Sequence, residues 1–160
     1  RDLVRSRGLG DVYKRQDEKY NGQGNGTLVD GISGNATFGS GKWLGFSNGK
    51  DMIATIDLKR EMPITSASLH TCIATGDGVF DAREICVELS TDGKVYHKVA
   101  SETCPMPTEH QKGVKLHTLT FLTQTARYIR VSVISVKQMP AWSGFPATPA
   151  FIFVDEISVD

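Results

Sequence analysis

The chain has 160 residues, of which 18 are basic and 18 acidic, so its formal net charge at pH 7 is zero. Apolar residues make up 39% of the chain, which together with the balanced charge is too high a fraction for a disordered chain. No apolar run approaches the roughly 20 residues of a transmembrane helix, and a nucleic-acid-binding domain would carry a basic excess. Length and composition therefore predict one globular domain with no membrane or nucleic-acid partner.

The charge is unevenly distributed along the chain. Residues 1–16 hold five basic and two acidic residues, whereas the remainder holds 13 basic and 16 acidic residues, a net charge of −3. The segment has neither the apolar core nor the cleavage site of a signal peptide. It is either a basic N-terminal arm or, as we expect, translated adaptor, because RSRGLGDVYKRQ resembles a stretch that recurs at the ends of unrelated environmental sequences. We therefore expect the native domain to span residues 17–160, as part of a longer protein.

A glycine-rich region and then a series of short strands follow. Residues 21–49 hold nine of the sixteen glycines. Behind them come alternating runs rich in β-branched residues, which are typical of half-buried strands. These predicted strands are residues 52–58, 64–74, 84–90, 95–100, 116–122, 126–136 and 150–159. Asp92-Gly93, between two of them, indicates a hairpin turn.

The pattern of elements predicts an all-β fold. No stretch of helical length has apolar residues at the i, i+3, i+4 and i+7 positions of an amphipathic helix. Short strands separated by glycine and proline turns predict a sandwich or barrel. About eight strands favour an eight-stranded jelly-roll β-sandwich.

Residues 137–149, which we call the proline-rich loop, differ from their surroundings. The loop holds three of the six prolines together with Trp142 and Phe145. Proline restricts the conformations of such a loop, and two large aromatic side chains there are either buried or form a binding surface. Two interpretations of Trp142 remain: its side chain fills the end of the sandwich, or it contacts a ligand.

The cysteines give little information about function. Cys72, Cys86 and Cys104 have no C-x-x-C spacing and no nearby histidine pattern typical of zinc. The first two lie in strand-like runs, where a small buried thiol is common. We do not expect a disulfide framework.

Five stretches occur in the order found in one known superfamily. They are LVDGISGN (28–35), GKWLGFSNGKDMIATIDL (41–58), VELSTDGKVY (87–96), ARYIRVSV (126–133) and FIFVDEISV (151–159). Together they resemble the discoidin, or coagulation factor 5/8 type C, superfamily, which overlaps with the family 32 carbohydrate-binding modules. The W-x-G-F pattern and the ending FIFVDEI look like the C-terminal module of bacterial family 20 β-N-acetylhexosaminidases. The resemblance covers about residues 19–160 and implies a galactose-binding-domain-like jelly roll.

The adjacent pair Asp155-Glu156 does not indicate an enzyme. Hexosaminidases of the resembled family use an adjacent Asp-Glu pair, but neighbouring residues on a strand point to opposite faces. The family's pair also lies on a large barrel domain, for which this chain is too short. No serine-hydrolase or metalloprotease motif is present in the sequence. We expect a non-catalytic module whose parent protein is a glycoside hydrolase.

The resemblance implies a structural calcium ion. Asp30 and Glu156 would supply carboxylates, and backbone carbonyls would come from near Leu28, Asn35 and Phe153. Calcium needs six to eight oxygen ligands, which a loop rich in glycine and asparagine offers readily. The loop after Asp30 is longer than the family pattern. In the alternative interpretation Asp30 caps a turn and Glu156 pairs with a surface lysine.

The resemblance also implies a sugar site on the loops at one end of the sandwich. Such a site needs an aromatic plane for the sugar ring and polar groups for its hydroxyls. Trp142 and Phe145 are candidate platforms and Phe80 is a third. Asp77 and Arg83 are candidate hydrogen-bonding residues.

These features favour an accessory module of a secreted or periplasmic glycoside hydrolase. It would bind a terminal sugar such as galactose or N-acetylhexosamine and would adjoin the catalytic domain of the same chain. The chief alternative is a purely structural appendage that packs on the catalytic barrel and binds no ligand. A lipid-binding discoidin domain ranks last, because residues 17–160 are net acidic.

Overall fold

The structure is a computed structural model that describes residues 4–5, 12–13, 44–46, 49–155 and 157–160. Within these ranges the chain forms nine β-strands and two short 3₁₀ turns, and it has no α-helix. The strands are β1 (Val4–Arg5), β2 (Val12–Tyr13), β3 (Leu44–Phe46), β4 (Met52–Ala74), β5 (Glu84–Ser90), β6 (His97–Thr103), β7 (Lys112–Ile134), β8 (Ile152–Val154) and β9 (Ser158–Val159). No helix in the described ranges has the length and apolarity to cross a membrane.

Two strands of 23 residues each, β4 and β7, organise the fold. They pair antiparallel from Met52 opposite Val133 to Ala74 opposite Lys112, with shifts in register on the way. The larger shift follows Asp57, where the strands bend. Because of the bend, each long strand contributes one half to each side of a curled sheet.

The remaining strands extend the two sides of this sheet. The first half of β4 pairs with β2, and the last half of β7 pairs with β5, which pairs with β6. The last half of β4 pairs with β8 and β9, which in turn pair with β3 and β1. All these strand pairings are antiparallel, and the predicted all-β fold is confirmed.

The hydrophobic core lies between the two sides. In residues 52–58 buried and half-buried side chains alternate, as period-two patterning predicts for a strand with one face on a core. The large core side chains with at most 2% exposure include Phe46, Met52, Ile56, Ile64, Ile85 and Leu89. Burial of such side chains stabilises the fold by about 1.5–3 kcal/mol each.

The strands differ from the predicted ones mainly in their connections. The predicted strands 52–58 and 64–74 are one strand, because the pairing with β7 resumes after the bend. The predicted strand 150–159 is divided into β8 and β9. β5 has its predicted bounds, and Gly93 turns the β5–β6 hairpin with a φ of 77°. That φ lies in the left-handed region, which favours glycine.

Two short pairings involve the first residues of the chain. β1 pairs with β9, and β2 pairs with Thr55 and Ile56 of β4. These four residues therefore contact the sheet, which we did not expect of an adaptor segment. The foreign origin of residues 1–16 stays a prediction.

Three loops lie against one another beside the sheet. The Thr75 N–H donates to the Gln111 carbonyl, the Phe80 N–H to the Phe151 carbonyl, and the Cys104 N–H to the Arg83 carbonyl. Residues 75–83, 104–111 and 135–151 therefore lie together, and we call this region the loop end. The proline-rich loop belongs to it.

Candidate functional site

An aromatic group joins the three loops of the loop end. Trp142 lies in the 3₁₀ turn Ala141–Ser143 and is half-buried. The centre of its ring lies 6.0 Å from that of Phe80 at a tilt of 36°, and 5.0 Å from that of His110 at 90°. Phe80 is 1% exposed, whereas His110 is exposed. The indole of Trp142 is thus supported from the core and flanked by an imidazole at the surface.

Internal hydrogen bonds hold the proline-rich loop in shape. The Met139 N–H donates to the Thr148 carbonyl at 2.8 Å. The hydroxyl of Ser143 donates to the Pro140 carbonyl at 2.7 Å and accepts the Phe145 N–H at 3.0 Å. Since these groups bond within the loop, its aromatic side chains are positioned before any ligand arrives, which reduces the entropy lost on binding.

Phe145 provides a second aromatic surface at the loop end. It is 39% exposed. Its ring lies over Gly78, where a Cβ atom would come within 3.8 Å of two ring carbons. Gly78 has a φ of 76° and follows the exposed Asp77. A carboxylate and an exposed ring therefore occur on neighbouring segments.

Thr75 fixes the loop that carries His110. Its buried hydroxyl oxygen accepts the Gln111 N–H at 2.8 Å and lies 3.0 Å from His110 Nδ1. Thr75 thus holds the imidazole in place against Trp142.

A buried cluster of polar side chains lies below the loop end. His117 on β7 is 1% exposed, and its Nε2 lies 2.9 Å from Asp81 Oδ1 while its Nδ1 is hydrogen-bonded to Glu102. The Thr71 hydroxyl donates to the same Asp81 oxygen at 2.7 Å. Burial opposes protonation, but the two carboxylates outweigh it and raise the pKa of His117. The imidazolium in turn overcomes the effect of burial and lowers the pKa of Asp81.

Cys104 completes this cluster, which we call the buried histidine cluster (Thr71, Asp81, Glu102, Cys104 and His117). A ligand atom from each of Asp81, Cys104 and His117 lies within 4.8 Å of the others. Burial, together with the Asp81 and Glu102 charges, raises the pKa of the Cys104 thiol to about 12. A cavity of about 160 Å³ reaches Asp81 and Cys104 from the surface and is bordered by the exposed Gln111 and Lys115.

Comparison with known proteins identifies the family. The model of the F5/8 type C domain matches residues 14–145. The chain belongs to the F5/8 type C domain family. The predicted membership in the coagulation factor 5/8 type C superfamily is thereby confirmed. No curated protein matches the sequence.

Solved structures share the fold of this F5/8 type C domain. The chitosan-binding module 1 of a chitosanase/glucanase from Paenibacillus sp. IK-5 has a TM-score of 0.62 at 15% identity, over 98% of each chain. CpGH89CBM32-5 from Clostridium perfringens, solved in complex with GalNAc-β-1,3-galactose, has a TM-score of 0.62 at 12% identity, over 99% of each chain. CpGH89CBM32-6 of the same organism has a TM-score of 0.60 at 14% identity, over 96% of this chain and 94% of that one.

The residues predicted for the sugar site are only partly brought together in the F5/8 type C domain. Trp142, Phe145 and Asp77 all lie at the loop end. The ring of Phe80, the third candidate platform, is 1% exposed and packs against Trp142, so in the structure it supports the indole and does not face solvent. Arg83 has a structural contact: its Nη1 donates to the Cys104 carbonyl at 2.8 Å and links β5 to the end of β6. His110 was missed, since an exposed histidine in a loop has no periodic signal.

Most of the residues predicted to bind calcium cannot be placed. Asp30, Glu156, Leu28 and Asn35 lie outside the described residues. Phe153 is buried in β8 and pairs with Gly45 of β3. Asp155 is fully buried, and its carboxylate accepts the His70 N–H at 2.8 Å and lies 2.9 Å from His70 Nδ1. Asp155 therefore ties the last segment of the domain to β4.

Proposed function

We propose that this F5/8 type C domain is a non-catalytic carbohydrate-binding module that binds terminal sugars weakly at its loop end. The observation that carries the proposal is the half-buried indole of Trp142, supported by Phe80 and flanked by His110. Aromatic rings contact the apolar face of a sugar ring, while neighbouring polar groups reach its hydroxyls. The imidazole of His110 and the carboxylate of Asp77 are the polar groups that we assign to this task.

The class of sugar is a galactose or an N-acetylhexosamine. The complex of CpGH89CBM32-5 with GalNAc-β-1,3-galactose, a ligand that contains both kinds of sugar, supports this class. Stacking on one aromatic ring contributes about 1–3 kcal/mol, by analogy with nucleic-acid bases. With few polar contacts added, we expect dissociation constants near 1 mM, which correspond to about 4 kcal/mol.

The proposal also assigns the domain to a larger enzyme. Structures with this fold include a module of a chitosanase/glucanase and one of a family 31 glycoside hydrolase. We infer that the parent protein is a glycoside hydrolase of the β-N-acetylhexosaminidase type and acts outside the cytoplasm. Catalysis would then take place in another domain, while this module holds the enzyme at sugar-bearing surfaces.

A structural calcium ion belongs to the same proposal. Since the carboxylate of Asp155 is engaged with His70 and that of Asp160 accepts a hydrogen bond from the Ser66 hydroxyl, we assign the acidic ligand of the last segment to Glu156. Glu156 and Asp30 would hold the ion with backbone carbonyls, including that of Phe153. Its contribution would be to join the first loop to the last strand rather than to contact sugar.

The direct test is an NMR titration of the ¹⁵N-labelled domain with galactose, N-acetylgalactosamine and N-acetylglucosamine, with mannitol as a control for nonspecific effects. We expect shifts confined to residues 75–83, 104–111 and 135–151, saturating in the millimolar range. No shift for any of the sugars at ten times that concentration would contradict sugar binding.

A purely structural appendage is the second candidate function. The observation in its favour is a group of exposed apolar side chains on β7, which we call the exposed apolar patch. Val114 and Leu116 share a face, because residues two apart on a strand do so, and they are 40% and 56% exposed. Leu122, beside a register shift in the same strand, is 87% exposed. In this case the domain would bind none of the sugars, and joining it to the catalytic domain would cover the patch.

A further inference from the structure

The three ligand-bearing side chains of the buried histidine cluster come from three separate segments. Asp81 lies in the loop after β4, Cys104 follows β6, and His117 lies on β7. A carboxylate oxygen, a thiol sulfur and an imidazole nitrogen of these residues all lie within 4.8 Å of one another. Asp81 and Cys104 are largely buried and His117 is 1% exposed.

We propose that Asp81, Cys104 and His117 form a binding site for a divalent transition metal of the zinc class. Bonds to Zn²⁺ are about 2.0–2.3 Å long, so the ligands of a tetrahedral ion lie about 3–4 Å apart. His117 Nε2 and Asp81 Oδ1, at 2.9 Å, are already near this separation. The ion would take the place of the proton between them, and the Cys104 sulfur would move inward by on the order of 1 Å.

Glu102 orients the imidazole as an outer partner does in metal sites. A histidine that binds a metal through one nitrogen usually donates its other N–H to a carboxylate, which fixes the tautomer. His117 makes this contact through Nδ1 to Glu102, which leaves Nε2 directed at Asp81. The Cys104 thiol donates to the same Glu102 carboxylate oxygen at 3.7 Å, so one carboxylate contacts both the imidazole and the sulfur.

The cavity beside the cluster gives a metal ion a path to the site and has room for a water molecule as the fourth ligand. It has a volume of about 160 Å³ and is lined by Asp81 and Cys104 on its inner side and by Gln111 and Lys115 on its outer side. Lys115 Nζ lies 3.8 Å from Asp81 Oδ2, and its side chain is 53% exposed, so it can swing into solvent. A water molecule in the cavity would complete the coordination, as in zinc sites with three protein ligands.

The ligand types select the metal. Calcium and magnesium prefer oxygen ligands, and the Cys104 sulfur and the His117 nitrogen disfavour both. One sulfur, one nitrogen and one carboxylate suit Zn²⁺ and its spectroscopic substitute Co²⁺. The site is therefore chemically distinct from the proposed calcium site, and the proposal does not rest on sugar binding. Its effect would be to join the loop 75–83 and the end of β6 to β7, below the aromatic group.

The test is a Co²⁺ titration of the full chain with its thiols reduced and with calcium present in excess to fill oxygen sites. We expect one Co²⁺ per chain, a near-ultraviolet band from thiolate-to-cobalt charge transfer, and the intense visible bands of tetrahedral cobalt. Zn²⁺ should abolish these bands. Absence of the charge-transfer band at a hundredfold excess of Co²⁺ would overturn the proposal.

Three variants test the sulfur ligand and the outer partner of the imidazole. Cys104→Ser should lose the charge-transfer band, while the matched control Cys86→Ser, a half-buried thiol on the neighbouring β5, should keep it. Glu102→Gln, at a side chain that is 39% exposed, should weaken Co²⁺ binding roughly 10–100-fold. Glu102→Gln also serves as the decisive variant if Cys104→Ser fails to fold. A band that persists in Cys104→Ser, or Co²⁺ affinity unchanged in Glu102→Gln, would contradict the assignment.

Discussion

The guanidinium of Arg127 donates two hydrogen bonds to the carboxylate of Asp57, from Nε to Oδ1 at 2.8 Å and from Nη2 to Oδ2 at 2.9 Å. The same Oδ1 accepts the N–H of Lys59 at 2.8 Å, and Lys59 has a φ of 72°. One carboxylate therefore stabilises the left-handed residue at the bend of β4 and links it to β7. The Arg127 hydrogen bonds outweigh the effect of burial and, helped by the Lys59 N–H, lower the pKa of Asp57 to about 2.

Asp57→Asn should reduce stability in a pH-dependent manner. The folded-state pKa of about 2 is below the ordinary value of 3.8, so the contribution of the carboxylate is complete above about pH 4 and is lost as the pH falls towards 2. We expect a loss of about 1 kcal/mol near neutrality, because the pair is partly exposed, and almost no loss near pH 2. Urea unfolding across this range measures the difference. Glu109→Gln, at an exposed loop carboxylate, is the control; a constant deficit for Asp57→Asn at every pH would refute the linkage.

The hairpin between β5 and β6 depends on Gly93. Its φ of 77° is unfavourable for other residues, and a Cβ atom there would lie 3.1 Å from the ring of Tyr128. Gly93→Ala should therefore lower the free energy of unfolding by roughly 1–2 kcal/mol. Gly76→Ala is the matched control, because a Cβ at Gly76 meets no atom within 4 Å. Equal unfolding midpoints for the two variants in urea would show that the turn tolerates a side chain.

Local patterns account for the strands better than for their connections. Alternation in residues 84–90 predicts β5 with its observed bounds, because Ile85, Val87 and Leu89 are buried on one face of the strand. Residues 59–61 are charged and exposed, which is typical of a loop, yet β4 continues through them. What keeps the strand together there is the contact of Asp57 with Arg127, 70 residues away, and no local pattern reveals such a pairing.

The site shows the same division between local and distant information. The proline-rich loop can be recognised from the sequence, because its two aromatic residues and three prolines are close together along the chain. The buried histidine cluster was missed, since its members are spread from Thr71 to His117 along the sequence. One local signal was present: His117 shares the inward face of β7 with the buried Leu119. A histidine at such a position needs buried partners, although the sequence does not name them.

Calcium should stabilise the domain through Asp30 and Glu156. If these carboxylates hold the ion, removal of calcium with a chelator should lower the melting temperature, because a ligand bound to the folded state alone stabilises it. The double variant Asp30→Asn, Glu156→Gln should melt at the same temperature with and without chelator. Asp77→Asn, which removes an exposed carboxylate at the loop end, should behave like the wild type. A wild-type melting curve that the chelator leaves unchanged, after unfolding and refolding in its presence, would exclude calcium.

Sugar binding should depend on both aromatic side chains of the proline-rich loop. Trp142→Ala and Phe145→Ala each remove a ring, and a stacking contribution of about 1–3 kcal/mol corresponds to a loss of affinity of about fivefold to more than a hundredfold. From a starting dissociation constant near 1 mM, each variant should then bind with a dissociation constant of about 5 mM or weaker, which NMR titration measures. Leu122→Ala is the matched control, because it removes an apolar side chain that is 87% exposed on β7.

Trp142 and Phe145 differ in how much they pack against the core. Variants of the two residues therefore distinguish a role in sugar binding from a role in stability. Phe145 is 39% exposed, so Phe145→Ala should leave the melting temperature almost unchanged. Trp142 packs on the buried Phe80, so Trp142→Ala should lower the melting temperature by a few degrees without unfolding the domain. Trp142→Phe should recover most of this stability and part of the affinity. If Phe145→Ala and Trp142→Ala both bind galactose and N-acetylhexosamines as the wild type does, the sugar contacts do not lie on this loop.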